Sequence, residues 1–112
     1  MRGGFTELVS VKLTMKIDIT ESAREWFENE VGLKKGSGVR FSGKVYGNTE
    51  VHEGFSVGME VGQPSDILAE TTINGIIYFI DKHDEWFFSG YDLQVSFDKK
   101  RDEPIYHFIE QK

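Results

Sequence analysis

The chain has no cysteine among its 112 residues, which excludes disulfides, thiolate metal ligands and a cysteine nucleophile together. The redox compartment is therefore not legible from cysteine usage. It has no basic tract either: lysines and arginines are scattered, the formal charge is −6 and the pI about 5.0, so no footprint for a phosphate backbone exists. No apolar run approaches a membrane span, and the opening MRGGFTELVSVKLTM has no unbroken apolar stretch of the kind a secretory signal needs. These absences predict a soluble cytoplasmic protein whose partners are neither nucleic acid nor membrane. A Gly-x-Ser-x-Gly elbow, a Gly-x4-Gly-Lys phosphate loop and a His-Glu-x2-His helix are also missing. Paired carboxylates such as Glu28 and Glu30 or Asp84 and Glu85 fall in surface-like segments, so the chain is not expected to be an enzyme.

What is present is strand periodicity. From Val9 to Ile19 the odd positions are apolar and the even ones polar, the alternation of a strand buried on one face. A straight strand of that length would reach roughly 36 Å, the diameter of a whole small domain, so it bends or its first half leaves the body. Residues 1–14 thus read as an N-terminal extension or strand arm and 15–112 as the domain proper, with Met15 a second natural start. The arm is either an ordinary edge strand or one that pairs with a neighbouring subunit.

Thr20 is a good N-cap for a helix whose inner face carries Ala23, Trp26, Phe27 and Val31, ended by Gly32. A strand follows with Val39, Phe41 and Val45 inward, and another that alternates Phe55, Val57, Met59 and Val61. Asn74-Gly75 supplies the positive φ angles of a type I′ turn between two apolar runs. The run after it, IIYFID, is apolar at both parities and is expected to be covered on both faces. A connection with one helical turn, DKHDEWFFSGYDL, leads to the strands LQVSF and IYHFI. The expected fold is α+β, predominantly β, with one N-terminal helix packed on short mixed or antiparallel strands.

The order of these elements resembles the HesB-like, A-type iron-sulfur carrier family, in its short branch from low-GC bacteria. The residues carrying the likeness are Ile17 to Thr20 with Ala23, Val39 and Phe41, Gly54 to Gly58, Gly75 with Ile77, Phe79 and Asp81, and Gly90 with Leu93. The resemblance implies a HesB-like fold, a role in iron-sulfur cluster biosynthesis, assembly or client proteins as partners, and a homodimer. It also implies a Gly-Cys-Ser-Gly loop and a C-terminal Cys-Gly-Cys, whose thiolates suit iron-sulfur centres. Here Asn48 and Thr49 occupy that loop and Arg101 to Pro104 the C-terminal pair. Asn48 and Thr49 are therefore the cofactor-binding positions by resemblance, without the ligand that makes a conventional cluster carrier.

The alternative is a cluster-free module that binds a protein, or binds a metal through histidine and carboxylate. His52 with Glu50 and Glu53 is the nucleus of such a site for iron or another divalent metal. His83 reads as a residue of an exposed turn and His107 as a sheet residue. Tyr78, Phe79, Trp86, Phe87, Phe88 and Tyr91 give the late part of the chain an aromatic density that suits either a capped core or an oligomer interface.

Overall fold

The computed structural model describes residues 15–45, 47 and 54–111. Residues 1–14 and the loop residues Asn48, Thr49, Glu50, His52 and Glu53 lie outside them. The described chain is mostly strand. In order it forms β1 (Ile17–Ile19), α1 (Glu21–Asn29), β2 (Gly38–Lys44), β3 (Ser56–Val61), β4 (Ile67–Ile73) and β5 (Ile76–Asp81). A 3-10 turn (Lys82–Asp84), the short α2 (Glu85–Phe88), β6 (Tyr91–Asp98) and β7 (Glu103–Glu110) complete it.

The strands form two sheets, one ordered β1-β6-β7 and the other β3-β2-β5-β4. Neighbours are antiparallel except at two places, where β1 runs parallel to β6 and β2 parallel to β5. The domain is α+β and predominantly β, as its alternation predicts. Between the sheets lies one apolar core that includes Ile19, Phe27, Val39, Phe41, Tyr78, Ile80, Phe87, Leu93 and Val95.

The helix begins and ends where its chemistry dictates. Thr20, extended at ψ 161, accepts a hydrogen bond from the Ala23 N–H at 3.3 Å, a cap that contributes roughly 1 kcal/mol. Phe27 is fully buried and meets Phe41 and Tyr78 edge to face, at centroid distances of 6.3 and 5.4 Å. Burial of such a ring contributes roughly 2–3 kcal/mol. After the helix Gly32 takes φ +81, and the Leu33 N–H returns to the Phe27 carbonyl at 3.0 Å, so the chain leaves through a left-handed residue.

The β4–β5 hairpin turns at Asn74 and Gly75, both with positive φ (55° and 79°), as the Asn-Gly pair predicts. β5 is covered on both faces. Ile76, Tyr78 and Ile80 enter the core, while Phe79 and Asp81 are buried on the opposite face, Phe79 standing between Arg40 of β2 and Glu70 of β4. One expectation needs correction: Val45 is 79% exposed rather than inward. The β2–β3 pairing stops at Lys44 and Ser56, so Val45 lies beyond the ladder that would have held it over the core.

Candidate functional site

The most concentrated charge chemistry in the described chain is built on Arg40. It points away from the core because its neighbours Val39 and Phe41 point in. Its Nη1–H donates to Glu60 Oε1 at 2.9 Å across the β2–β3 ladder, and its Nη2–H donates to Asp84 Oδ2 at 2.7 Å. Its Nε lies 3.7 Å from Asp81 Oδ2 but makes no hydrogen bond. Asp81 and Asp84 are both buried. Hydrogen bonding to Asp84, against the opposing effect of burial, holds the Arg40 guanidinium above its ordinary pKa.

The clasp ties separate pieces of chain together. Asp81 Oδ1 accepts from the Asp66 N–H at 3.4 Å, so the turn before β4 joins the same cluster. Asp84 fixes the 3-10 turn against β2, and the next residues form α2. Phe87 then seats in the space left by Gly43, where a Cβ would stand 2.6 Å from the Phe87 ring. Phe87 and Phe88 are fully buried, and Trp86 between Glu85 and Phe87 is turned outward, 55% exposed. Its ring is braced edge to face by Phe55 at 5.7 Å and by Phe87 at 5.4 Å. Tryptophan is among the side chains enriched at the energetic centres of protein interfaces. Of the late aromatics, Tyr78, Phe87 and Phe88 belong to the core, Phe79 is buried on the opposite face of β5, Tyr91 is half-buried and Trp86 is exposed.

A second feature lies at the other end of β6. Trp26 of α1 and Phe97 of β6 lie with ring centroids 5.8 Å apart, tilted at 35°. They take part in a groove of about 300 Å³ whose other walls are Ser22, Glu25, Asn29, Glu30, Lys99 and Asp102.

Metal chemistry finds no support in the described residues. Among them no group of three or more histidine, aspartate or glutamate side chains is arranged to hold an ion, and the carboxylates that do converge, from Glu60, Asp81 and Asp84, converge on a guanidinium. His83 is exposed. His107 lies in β7 with its Nε2 3.2 Å from Ser96 Oγ, a sheet residue as expected. No described helix is long and apolar enough to cross a membrane.

Two phenols complete the electrostatics, Tyr78 fully buried and Tyr106 half-buried. Burial, with the charge of Glu28 adding to it and Arg24 opposing, pushes the Tyr78 hydroxyl up to about 12. Burial and the charge of Glu103 do the same to Tyr106, also to about 12. Among the described residues the Tyr78 hydroxyl has no hydrogen-bond partner.

Comparison with known proteins decides the family. The pyruvate dehydrogenase inhibitor of Bacillus subtilis (strain 168) is 34% identical over 94 residues, which are 84% of this chain and 99% of that protein. The chain belongs to the family of this inhibitor. An uncharacterised protein of Staphylococcus epidermidis is 35% identical over 95 residues, covering 82% of the chain and 97% of the relative. An uncharacterised Staphylococcus haemolyticus protein is 30% identical over 84 residues, 72% of the chain and 85% of the relative. No protein-family model matches the chain, and no solved structure matches it. The HesB-like assignment and its role in iron-sulfur cluster biosynthesis are thereby corrected: the named relative is an enzyme inhibitor, and no HesB-like model matches. The physical reason is that the likeness rested on glycine turns and alternating strands, which many β-rich domains share, while the chemistry that defines a cluster carrier, its thiolates, is absent.

The clasp and the groove escaped sequence reasoning because both join distant segments, Arg40 to Asp84 across 44 positions and Trp26 to the β6–β7 turn. A faint signal existed in Arg40 itself, a cation set inside an apolar strand.

Proposed function

We propose that this protein is a regulator that inhibits pyruvate dehydrogenase by binding it. The observation that carries the reading is the end-to-end match to the Bacillus subtilis inhibitor, whose own length is 99% covered. The protein is then not an enzyme, and its partner is a protein rather than an iron-sulfur assembly factor. Geometry supports an interaction role: Trp86 is presented to solvent on α2, which a part-buried ion pair and two aromatic contacts hold in place. Preorganisation of this kind lowers the ordering cost of association.

The test is direct. Purified protein is titrated into Bacillus subtilis pyruvate dehydrogenase complex while pyruvate-dependent NADH formation is followed, and binding is measured in parallel by biolayer interferometry. The expected result is a saturable fall in rate that tracks occupancy and leaves the inhibitor itself unchanged. Full activity in the presence of a large molar excess, with no binding signal, overturns the reading. Trp86→Ala is expected to weaken binding at least tenfold, in line with the roughly 2 kcal/mol lost at an anchoring tryptophan.

A further inference from the structure

The groove between α1 and the β6–β7 turn has a chemistry that the family assignment does not explain. The Trp26 and Phe97 rings pack together at 5.8 Å between centroids, tilted at 35°, and both are half-buried rather than sealed in the core. Around these rings stand three carboxylates, Glu25, Glu30 and Asp102, against one ammonium, Lys99. The surrounding walls therefore carry a net negative charge over an aromatic surface. A second term has the same sign. The helix that forms one wall ends with no basic residue in its last turn, so the negative end of its dipole is not offset by its own sequence and favours an external cation.

Aromatic faces attract cations through their quadrupole, and carboxylates nearby add Coulomb attraction and hydrogen-bond acceptors. An anion would be repelled by the carboxylates. The long stem of a lysine or arginine matches both parts, its methylenes lying on Trp26 and Phe97 while its head reaches the surrounding acids.

We infer that the Trp26–Phe97 groove receives a lysine or arginine side chain from the protein partner. The inference rests on the reading of this protein as one that binds another protein, and it adds the chemistry of one contact. The binding surface is thus two-ended, with Trp86 as an apolar anchor and the groove as a selector for a basic residue.

The probe is Nα-acetyl-arginine methylamide, with its citrulline analogue as the neutral control and the lysine analogue as a second cation. The chain has two tryptophans, Trp26 and Trp86, so their indole N–H resonances report separately on the two ends. The expected result is a saturable shift of the Trp26 indole with both cations, none with the citrulline analogue, and an unmoved Trp86 indole. Glu30→Gln and Asp102→Asn, both at exposed positions, should weaken that binding about two- to fivefold each without unfolding the domain. A silent Trp26 indole, an equal response to the neutral analogue, or a joint drift of both indoles overturns the inference. Its failure is distinguishable from failure of the functional reading. If Trp26 responds while the dehydrogenase is neither bound nor inhibited, the groove stands and the proposed function falls; if inhibition is found and Trp26 is silent, the converse holds.

Discussion

Arg40 and Asp84 meet at 2.7 Å, Nη2–H to Oδ2, with the carboxylate side chain only 5% exposed and the guanidinium 26%. The pair closes the turn that follows β5 against the middle of β2. Removing the cation leaves two buried carboxylates, Asp81 and Asp84, with no counter-charge from it. Arg40→Met should therefore lower stability by about 2 to 4 kcal/mol in urea unfolding, and the Arg40→Met/Asp84→Leu pair should cost clearly less than the two single changes added. Glu60→Gln is the control, because its side chain is 62% exposed, and it should change stability by less than about 1 kcal/mol.

Gly43 leaves the space that Phe87 fills. A methyl group there would stand 2.6 Å from Cγ of the ring, so Gly43→Ala should destabilise by about 1 to 3 kcal/mol through overpacking. Since α2 must move to relieve the clash, the emission of Trp86 should also shift. An alanine variant with unchanged stability and emission would show that the ring is not seated there.

The tip of the β4–β5 hairpin is intolerant for two reasons. Gly75 has φ +79, and a Cβ on it would meet Cα of Lys35 at 3.1 Å as well as the Lys35 side chain. The two turns are also linked, the Gly36 N–H donating to the Gly75 carbonyl at 2.9 Å. Gly75→Ala should cost about 1 to 2 kcal/mol, whereas Asn74→Gly should cost well under that, losing mainly the exposed hydrogen bond to Glu28 at 2.8 Å. Thermal unfolding of the two variants side by side checks the order.

Tyr78 and Tyr106 set an alkaline limit. Both hydroxyls are raised from an ordinary 10.0 to about 12 in the folded protein. An unfolded phenol loses its proton near pH 10 while the folded one keeps it, so stability is complete below pH 10 and falls as pH rises toward 12. Urea midpoints at pH 8 and pH 11 should differ accordingly. Tyr78→Phe should flatten part of that fall, and because it deletes an unpartnered buried hydroxyl it should not destabilise at pH 8.

The parts of this fold that local chemistry controls were legible in the sequence. Thr20 caps, Gly32 terminates, Asn74-Gly75 turns, and the apolar run of β5 is buried on both faces because its composition allows nothing else. What periodicity could not supply was pairing at a distance. Alternation in β2 assigns Arg40 an outward direction but does not name Asp81 or Asp84, and the same rule, extended one step too far, placed Val45 inside. The candidate site was hidden for the same reason. The family resemblance put a ligand in the histidine and carboxylate loop, which lies outside the described residues. Trp26 read as core from its helix position, although Phe97 and the acids around it give its outer edge a different environment.

The parallel union of β1 with β6 also constrains how the chain is made. Ile17 lies opposite Leu93, and Gln94 bonds Asp18 across 76 positions. A ribosome extends the chain from the N-terminal side, so β1 emerges long before β6, its partner in the ladder among the described residues, exists. The β4–β5 hairpin can close early, but the β1-β6-β7 sheet must wait for nearly the whole domain to be synthesised. Closing so long a loop is slow, and the nascent chain carries Ile17 and Ile19 uncovered in the meantime. Co-translational chaperone contact should therefore include β1, whose apolar side chains wait longest among the described strands for the fold to be sealed.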